Sequence, residues 1–254
     1  MHNLKPKKHL GQHFLTDPGY AKRIVDMLKA PEDAPVFEIG PGQGVLTEFL
    51  IQQYSRLALI EVDPDAVQWL RSHFAKQNPQ IIHTDVLKWN MEEDIDAPAY
   101  LIGNLPYNIS SPIFFQILEN RNLVKEGVFM IQKEVAERIA ADPGSKTYGI
   151  LSVLLGVYFD IEYGFSVPPS VFRPPPKVVS GVIRITRRDE EEVVPFRNLK
   201  IVVKTAFNQR RKTLRNALKS LDFQDFLQKE EMLKMRAEQL SKEDFLVLAQ
   251  NVIM

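Results

Sequence analysis

The stretch "VFEIGPGQGVLTEFL" (residues 36–50) decides the fold. A short apolar run meets three glycines at alternate positions, Gly40, Gly42 and Gly44, and then a segment with helical spacing. A strand that turns through glycines into a helix lets the backbone approach a ligand closely at the turn. The spacing discriminates between ligands. A dinucleotide fingerprint needs Gly-x-Gly-x-x-Gly, but the third glycine falls one position early and Val45 stands in its place. No Gly-Lys-Ser/Thr follows, so the turn is not a P-loop either. An NAD-dependent oxidoreductase is therefore disfavoured.

On both sides of this turn the chain alternates short apolar runs with amphipathic ones. "VFEIG" (36–40), "LALIEVD" (57–63), "QIIHTDV" (80–86), "AYLIGNL" (99–105) and "GVFMIQ" (127–132) read as strands. "LTEFLIQQ", "DAVQWLRSHFA", "SPIFFQILENR" and "EVAERIAAD" between them read as helices, and "TDPGYAKRIVDMLKA" as one before the first strand, capped by Thr16 or Asp17. This order calls for parallel strands with right-handed crossovers, an α/β, Rossmann-like doubly wound sheet. "FDIEYGFSVP" and "VVSGVIRITR" follow without a helix between them, joined by "PPSVFRPPPK", and suggest an antiparallel pair closing one edge. The charge-dense "RDEEEVVP" is the expected boundary, with domains at 1–188 and 189–254. Everything after it reads as a small helical domain: "FRNLKIVVKTAFNQ", "RKTLRNALKSL", "FLQKEEMLKMRA" and "SKEDFLVLAQNVI", the last with Ser241 and Asp244 at capping-box spacing.

Composition narrows the class. Cysteine is absent, which excludes a disulfide framework, a thiolate metal site and a cysteine nucleophile. No membrane-length apolar run and no secretory leader are present, so a cytoplasmic protein is expected. Lys plus Arg equals Asp plus Glu at 32 each, which rules against a uniform positive field but not against a local basic face.

Two acids complete the turn. Glu61 closes the second strand about twenty residues past the glycines, where a carboxylate accepts hydrogen bonds from ribose hydroxyls. Asp85 closes the third, where a purine exocyclic amine would lie. A cofactor with ribose and adenine but no pyrophosphate fits these groups, and that describes S-adenosylmethionine. At the end of the fourth strand, in "LIGNLPYNISSP" (101–112), stand Asn104, Leu105, Pro106 and Tyr107. Pro106 restricts Leu105 to extended backbone, so the Asn104 side-chain oxygen and the Leu105 carbonyl form two fixed acceptors. An exocyclic amine has two hydrogens to give them, and Tyr107 offers a face on which a base can stack.

At this point the chain resembles the KsgA-type ribosomal RNA adenine N6,N6-dimethyltransferases over nearly its whole length. "HLGQHFLTD", "EIGPGQG", "NLPYNIS", "QKEVAERI", "VFRPPPKVVSGVIR" and "NQRRKTLRNAL" carry the resemblance. It implies dimethylation of two adjacent adenines in the loop of the 3′-terminal hairpin of 16S ribosomal RNA, within the assembling small subunit. It also implies that His13, Leu15, Gly40, Gly42, Glu61, Asp85 and Asn104 contact S-adenosylmethionine, with no metal. Asn104, Leu105, Pro106 and Tyr107 would hold the target base, and Phe172 would stack on its other face. Many members carry Asn where His13 stands, so an imidazole replaces an amide here. His9 and His13 share helical spacing, yet no third metal ligand is apparent.

Residues 197–219 contain eight basic side chains and no acid. In that context Arg210, Arg211, Lys212 and Arg215 are expected to contact RNA phosphates, with Lys5, Lys7 and Lys8 adding to them. A monomer is expected. The competing readings are a large-subunit methyltransferase of the macrolide-resistance type and a non-catalytic RNA-binding assembly factor.

Overall fold

The computed structural model describes residues 4–7, 10–189, 194–223 and 230–253. Lys8, His9, the middle of the "RDEEEVVP" boundary and the start of "FLQKEEMLKMRA" lie outside them. By its internal packing the chain forms two compact units, residues 1–136 with 162–187 and residues 137–161 with 188–254.

The first unit is built on a seven-stranded sheet. Its strands are β1 (Pro35–Ile39), β2 (Arg56–Glu61), β3 (Gln80–His83), β4 (Ala99–Asn104), β5 (Val124–Gln132), β6 (Phe159–Val167) and β7 (Ser180–Arg187), in the order β3-β2-β1-β4-β5-β7-β6. β1 to β5 pair in parallel, and β7 runs antiparallel to β5. The antiparallel strand thus enters next to β5, and β6 takes the edge. All five residues of β1 are buried, which is why the central strand reads as a continuous apolar run broken only by Glu38.

Helices α1 (Pro18–Val25), α2 (Thr47–Gln53) and α3 (Pro64–His73) join the sheet in one apolar cluster, where Ile24, Leu50 and Leu70 accompany Val36, Leu59, Val128 and Met130. Asp17 caps α1 by accepting the Tyr20 N–H at 3.0 Å. Asp63 caps α3 by accepting the Asp65 N–H at 3.0 Å. α4 (Ser110–Glu119) follows the "NLPY" turn. With β1 to β4 parallel, the residues after each of these strands gather along one rim of the sheet.

The second unit is mostly helical, with one two-stranded antiparallel pair, Asp222–Phe223 with Val252–Ile253. It takes in α5 (Ile150–Tyr158), which packs on α6 (Phe196–Asn208) and α7 (Lys242–Asn251). "ILSVLLGVY" has no polar face, and without periodicity its helical state leaves no trace in the pattern. Ser241 and Asp244 form the expected capping box, each accepting the other's N–H at 3.0–3.1 Å. The expected helix over "RKTLRNALKSL" shrinks to Leu214–Ala217. Thr213 bridges to Arg236 and the Leu214 N–H donates to the Met235 carbonyl, which draws the preceding residues out of helical geometry.

Candidate active site

The rim of the sheet opens into a cavity at the ends of β1, β2, β3 and β4. Gly40, Gly42, Glu61, Asp85, Asn104, Leu105, Pro106 and Tyr107 all line it. Gly40 and Gly42 hold positive φ, +67° and +54°, conformations that a side chain would strain. At Gly42 a Cβ would stand 2.8 Å from the Phe14 ring, so the N-terminal arm can cross here only over a glycine.

Glu61 is 4% exposed, and its carboxylate is fixed from three sides. Oε2 accepts the Gly42 N–H at 3.1 Å, and Oε1 accepts the Val62 and Asp63 N–H groups at 2.9 Å each. Burial raises its pKa, and the three N–H donors oppose that shift without cancelling it. Oε2 takes one of these bonds and keeps a lone pair for a further donor such as a hydroxyl. Asp85 places Oδ1 on the Leu87 N–H at 3.0 Å, capping the turn Val86–Lys88. Its other oxygen makes no hydrogen bond among the described residues, and Asp85 lines the cavity.

The Asn104 amide is oriented by a partner that sequence reasoning missed. Its Nδ2 donates to the His13 carbonyl at 3.0 Å, so Oδ1 is the atom left to accept. The Leu105 N–H donates to the Met130 carbonyl at 3.0 Å, prolonging the β4–β5 ladder by one residue before Pro106 breaks away. No hydrogen bond to the Leu105 carbonyl forms among the described residues. The Tyr107 hydroxyl and Ser180 Oγ lie 2.7 Å apart, and Ser180 is fully buried at the start of β7. Burial raises the Tyr107 pKa against the opposing effect of Ser180. Its ring stacks on His13, with centroids 5.6 Å apart and planes 23° from parallel. His13 Nδ1 lies 2.7 Å from the Pro174 carbonyl. A carbonyl only accepts, so Nδ1 is the donor in this contact.

The arm itself forms one wall through Leu10, Gly11, Gln12, His13 and Phe14. Phe14 and Leu15 pair antiparallel with Arg173 and Phe172, which ties the arm to the proline-rich segment. Leu15 and Phe172 are 4% and 2% exposed and belong to the apolar core, and neither lines the cavity. The Phe172 side chain is buried in the apolar cluster that also holds Leu15. The arm's start is latched by Lys7, whose ammonium lies 2.6 Å from Asp63 and 2.7 Å from Asp65. Gln12 Nε2 joins at 3.1 Å from Asp63. Lys7 is thus paired with two carboxylates, which raises its own pKa chiefly through Asp63.

On the helical unit the basic run divides in the same way. Arg210 is held by Glu238 at 2.6 Å and by the Lys146 carbonyl at 2.7 Å, so it braces the unit. Arg211, Lys212 and Arg215 are exposed. Among the described residues no group of three potential metal ligands occurs, and no helix is long and apolar enough to cross a membrane.

Comparison with known proteins bears on this site. The family model described as ribosomal RNA adenine dimethylase matches residues 3–253. A curated protein of Phocaeicola vulgatus named ribosomal RNA small subunit methyltransferase A is 49% identical over 98% of this chain and 90% of its own length. Its namesake in Bacteroides thetaiotaomicron is 50% identical over 98% and 94%. Among solved structures, a dimethyladenosine transferase from Plasmodium falciparum shares the fold at TM-score 0.82 and 24% identity, covering 95% of this chain and 100% of that one. The 23S rRNA methyltransferase ErmE shares it at TM-score 0.74 and 24% identity, covering 94% and 100%. A match spanning almost every residue, on a sheet whose rim carries the glycine turn, two acids and the "NLPY" turn, leads to one conclusion: the chain belongs to the ribosomal RNA adenine dimethylase family.

Proposed function

We propose that this chain methylates N6 of two adjacent adenines in the loop of the 3′-terminal hairpin of 16S ribosomal RNA, twice each, acting as a cytoplasmic monomer on the assembling small subunit. The observation that carries this reading is the Asn104 amide. Its Nδ2 is taken by the His13 carbonyl, which leaves Oδ1 to accept, and Asn104 and Leu105 both line the cavity. Two acceptors at one strand end suit an amine with two hydrogens.

S-adenosylmethionine supplies the electrophilic methyl group. The residues present fit it: Glu61 offers Oε2 to a ribose hydroxyl, Asp85 offers a free carboxylate oxygen to an adenine amine, and the backbone at Gly40 and Gly42 leaves room for the chain of the ligand. The protein's part in the transfer is to hold the target nitrogen. An aromatic amine is a weak nucleophile because its lone pair is delocalised into the ring. Hydrogen bonds from its two N–H groups to Asn104 Oδ1 and the Leu105 carbonyl favour a pyramidal nitrogen with the lone pair exposed. Tyr107, fixed by Ser180, keeps the base in place. No base need act before attack, since the proton leaves once the nitrogen is cationic. The gain comes from positioning and electrostatics.

Replacing Glu61 by Ala removes the acceptor and leaves three N–H groups without a partner. Calorimetry with S-adenosylhomocysteine is expected to show binding weakened on the order of 100-fold, at about 1.5–3 kcal/mol for a hydrogen bond to a charged group. Binding within threefold of the parent would remove Glu61 from the site.

For RNA, the exposed Arg211, Lys212 and Arg215 are the proposed phosphate contacts. Replacing Arg211 and Lys212 by Ala is expected to weaken binding of the hairpin and to lower the slope of log K against log salt by about 2, one per lost contact. An unchanged slope would place the RNA elsewhere. The test of the whole reading is transfer of labelled methyl groups to separated, undermethylated small and large subunits, followed by mapping of the modified base. Label confined to the large subunit would overturn it.

A further inference from the structure

The N-terminal arm and the Glu61 carboxylate meet at one buried side chain that the proposed transfer does not use. Asp63 is 3% exposed and stands two residues beyond Glu61. Its backbone N–H donates to Glu61 Oε1 at 2.9 Å, so it helps to fix the acceptor for a ribose hydroxyl. Its carboxylate is held by the arm. Oδ1 lies 2.6 Å from the Lys7 ammonium and accepts the Asp65 N–H at 3.0 Å, while Oδ2 accepts from Gln12 Nε2 at 3.1 Å. Gln12 Oε1 in turn accepts the Lys7 N–H at 2.8 Å, which closes a ring of contacts through Lys7, Gln12 and Asp63.

Burial works to raise the Asp63 pKa, but the bonds from Lys7, Gln12 and the Asp65 N–H outweigh it and hold the group below its ordinary value. Asp63 is therefore a carboxylate at neutral pH, and a buried carboxylate needs a paired cation. Lys7 supplies it. The same ammonium lies 2.7 Å from Asp65, whose side chain is 66% exposed, and pairs of that kind contribute little. The two contacts therefore differ: losing Lys7 strands a buried charge, whereas losing Asp65 removes a solvated one. Past Lys7 the arm supplies Gln12, His13 and Phe14 to the cavity that Glu61 and Gly42 also line. The Phe14 ring crosses Gly42, whose N–H is the third donor to Glu61. Arm and acceptor are thus joined twice, through Asp63 and through Gly42.

We propose that Lys7 and Asp63 are positioning residues for the cofactor: their pairing docks the arm as a wall of the cavity and, through the Asp63 N–H, holds the Glu61 carboxylate where a ribose hydroxyl meets it. Neither residue touches the ligand. With the pair intact, the wall and the acceptor are in place before the cofactor arrives, and its binding need not order them. With the pair broken, the arm opens locally, the cavity loses one side and the cofactor leaves faster. The proposal rests on Glu61 as the ribose acceptor suggested above, but its test needs neither RNA nor methyl transfer.

The test follows amide hydrogen exchange and S-adenosylhomocysteine binding in the full chain. In Lys7→Met, exchange over residues 10–15 should quicken on the order of tenfold, as local opening of the arm does. Exchange in β1 and β4 should stay as in the parent. Affinity for S-adenosylhomocysteine should fall on the order of tenfold, with the change in the dissociation rate. Lys7→Arg keeps the charge and should restore most of both. Asp65→Asn should change neither by more than about threefold, since it removes only an exposed partner. Exchange that quickens throughout the sheet would make Lys7 a general stabiliser and overturn the proposal. So would failure of Lys7→Arg to restore binding, or a loss in Asp65→Asn equal to that in Lys7→Met. A parent that binds S-adenosylhomocysteine while Lys7→Met binds it as tightly would overturn the proposal alone. A parent that binds none would overturn the cofactor cavity and the proposal with it.

Discussion

Asn104→Ala is expected to lower the single-turnover rate of methyl transfer about 10²- to 10³-fold, the usual cost of deleting one preorganised polar group at a reacting centre. The effect should fall on the rate constant far more than on affinity for RNA, because the interaction matters most while the nitrogen rehybridises. The geometry allows a second explanation that must be separated from the first. The same side chain anchors the arm through the His13 carbonyl, so alanine removes an acceptor for substrate and a tether for the arm at once. Asn104→Asp distinguishes them. It keeps an oxygen for the amine but places a carboxylate against the His13 carbonyl, which breaks the tether. If the acceptor governs the rate, the Asp variant retains more activity than the Ala variant; if the tether governs it, the two lose equally. Unchanged transfer in Asn104→Ala would end the proposed mechanism.

The fold was readable wherever burial imposes a pattern. β1, expected at 36–40, spans Pro35–Ile39, and β4, expected at 99–105, spans Ala99–Asn104. Strands covered on both faces must be apolar throughout, and glycines or amides end them sharply. α5 escaped because a helix buried all round has no polar face to reveal its period. The two-residue pairing of Phe14–Leu15 with Phe172–Arg173 escaped for another reason: neither dipeptide has a local preference that specifies it, and the contact spans more than 150 residues.

The site shows the same division. Groups at strand ends have only one place to be, so Gly40, Glu61, Asp85 and Asn104 fall along one rim as soon as the strands are parallel. What sequence leaves open is which side chains are already taken. Lys7 and Arg210 look like phosphate ligands as letters, yet one is neutralised by Asp63 and the other by Glu238, and neither acid is near in sequence. A basic residue's role follows from its carboxylate neighbours, and those are tertiary facts. Phe172 is the apolar counterpart, a ring buried in the core cluster with Leu15.

The same burial that makes β1 legible gives Glu38 a large effect on stability. The side chain is 1% exposed, and its Oε2 accepts the Thr47 hydroxyl at 2.6 Å. Burial raises its pKa from 4.5 to about 8; Thr47 opposes the shift and the charge of Glu61 adds to it. Unfolded chains lose this proton near 4.5, whereas the folded chain keeps it to about 8. Between those values the unfolded state binds fewer protons, so this group makes stability fall as pH rises, by about 1.4 kcal/mol per unit. The contribution is fully present below pH 4.5, is lost by the time pH passes about 8, and totals on the order of 5 kcal/mol at most. Glu38→Gln keeps an acceptor for Thr47 and cannot ionise. Urea unfolding of parent and variant across this window should therefore diverge: the difference in unfolding free energy should move in the variant's favour with each pH unit and level off above about 8. Any constant penalty from the added amide N–H groups shifts the whole curve without changing its slope. Parallel curves would mean that Glu38 ionises in the folded protein as it does in the unfolded one. A buried carboxylate at Glu38 would then be charged within the field of Glu61 at neutral pH.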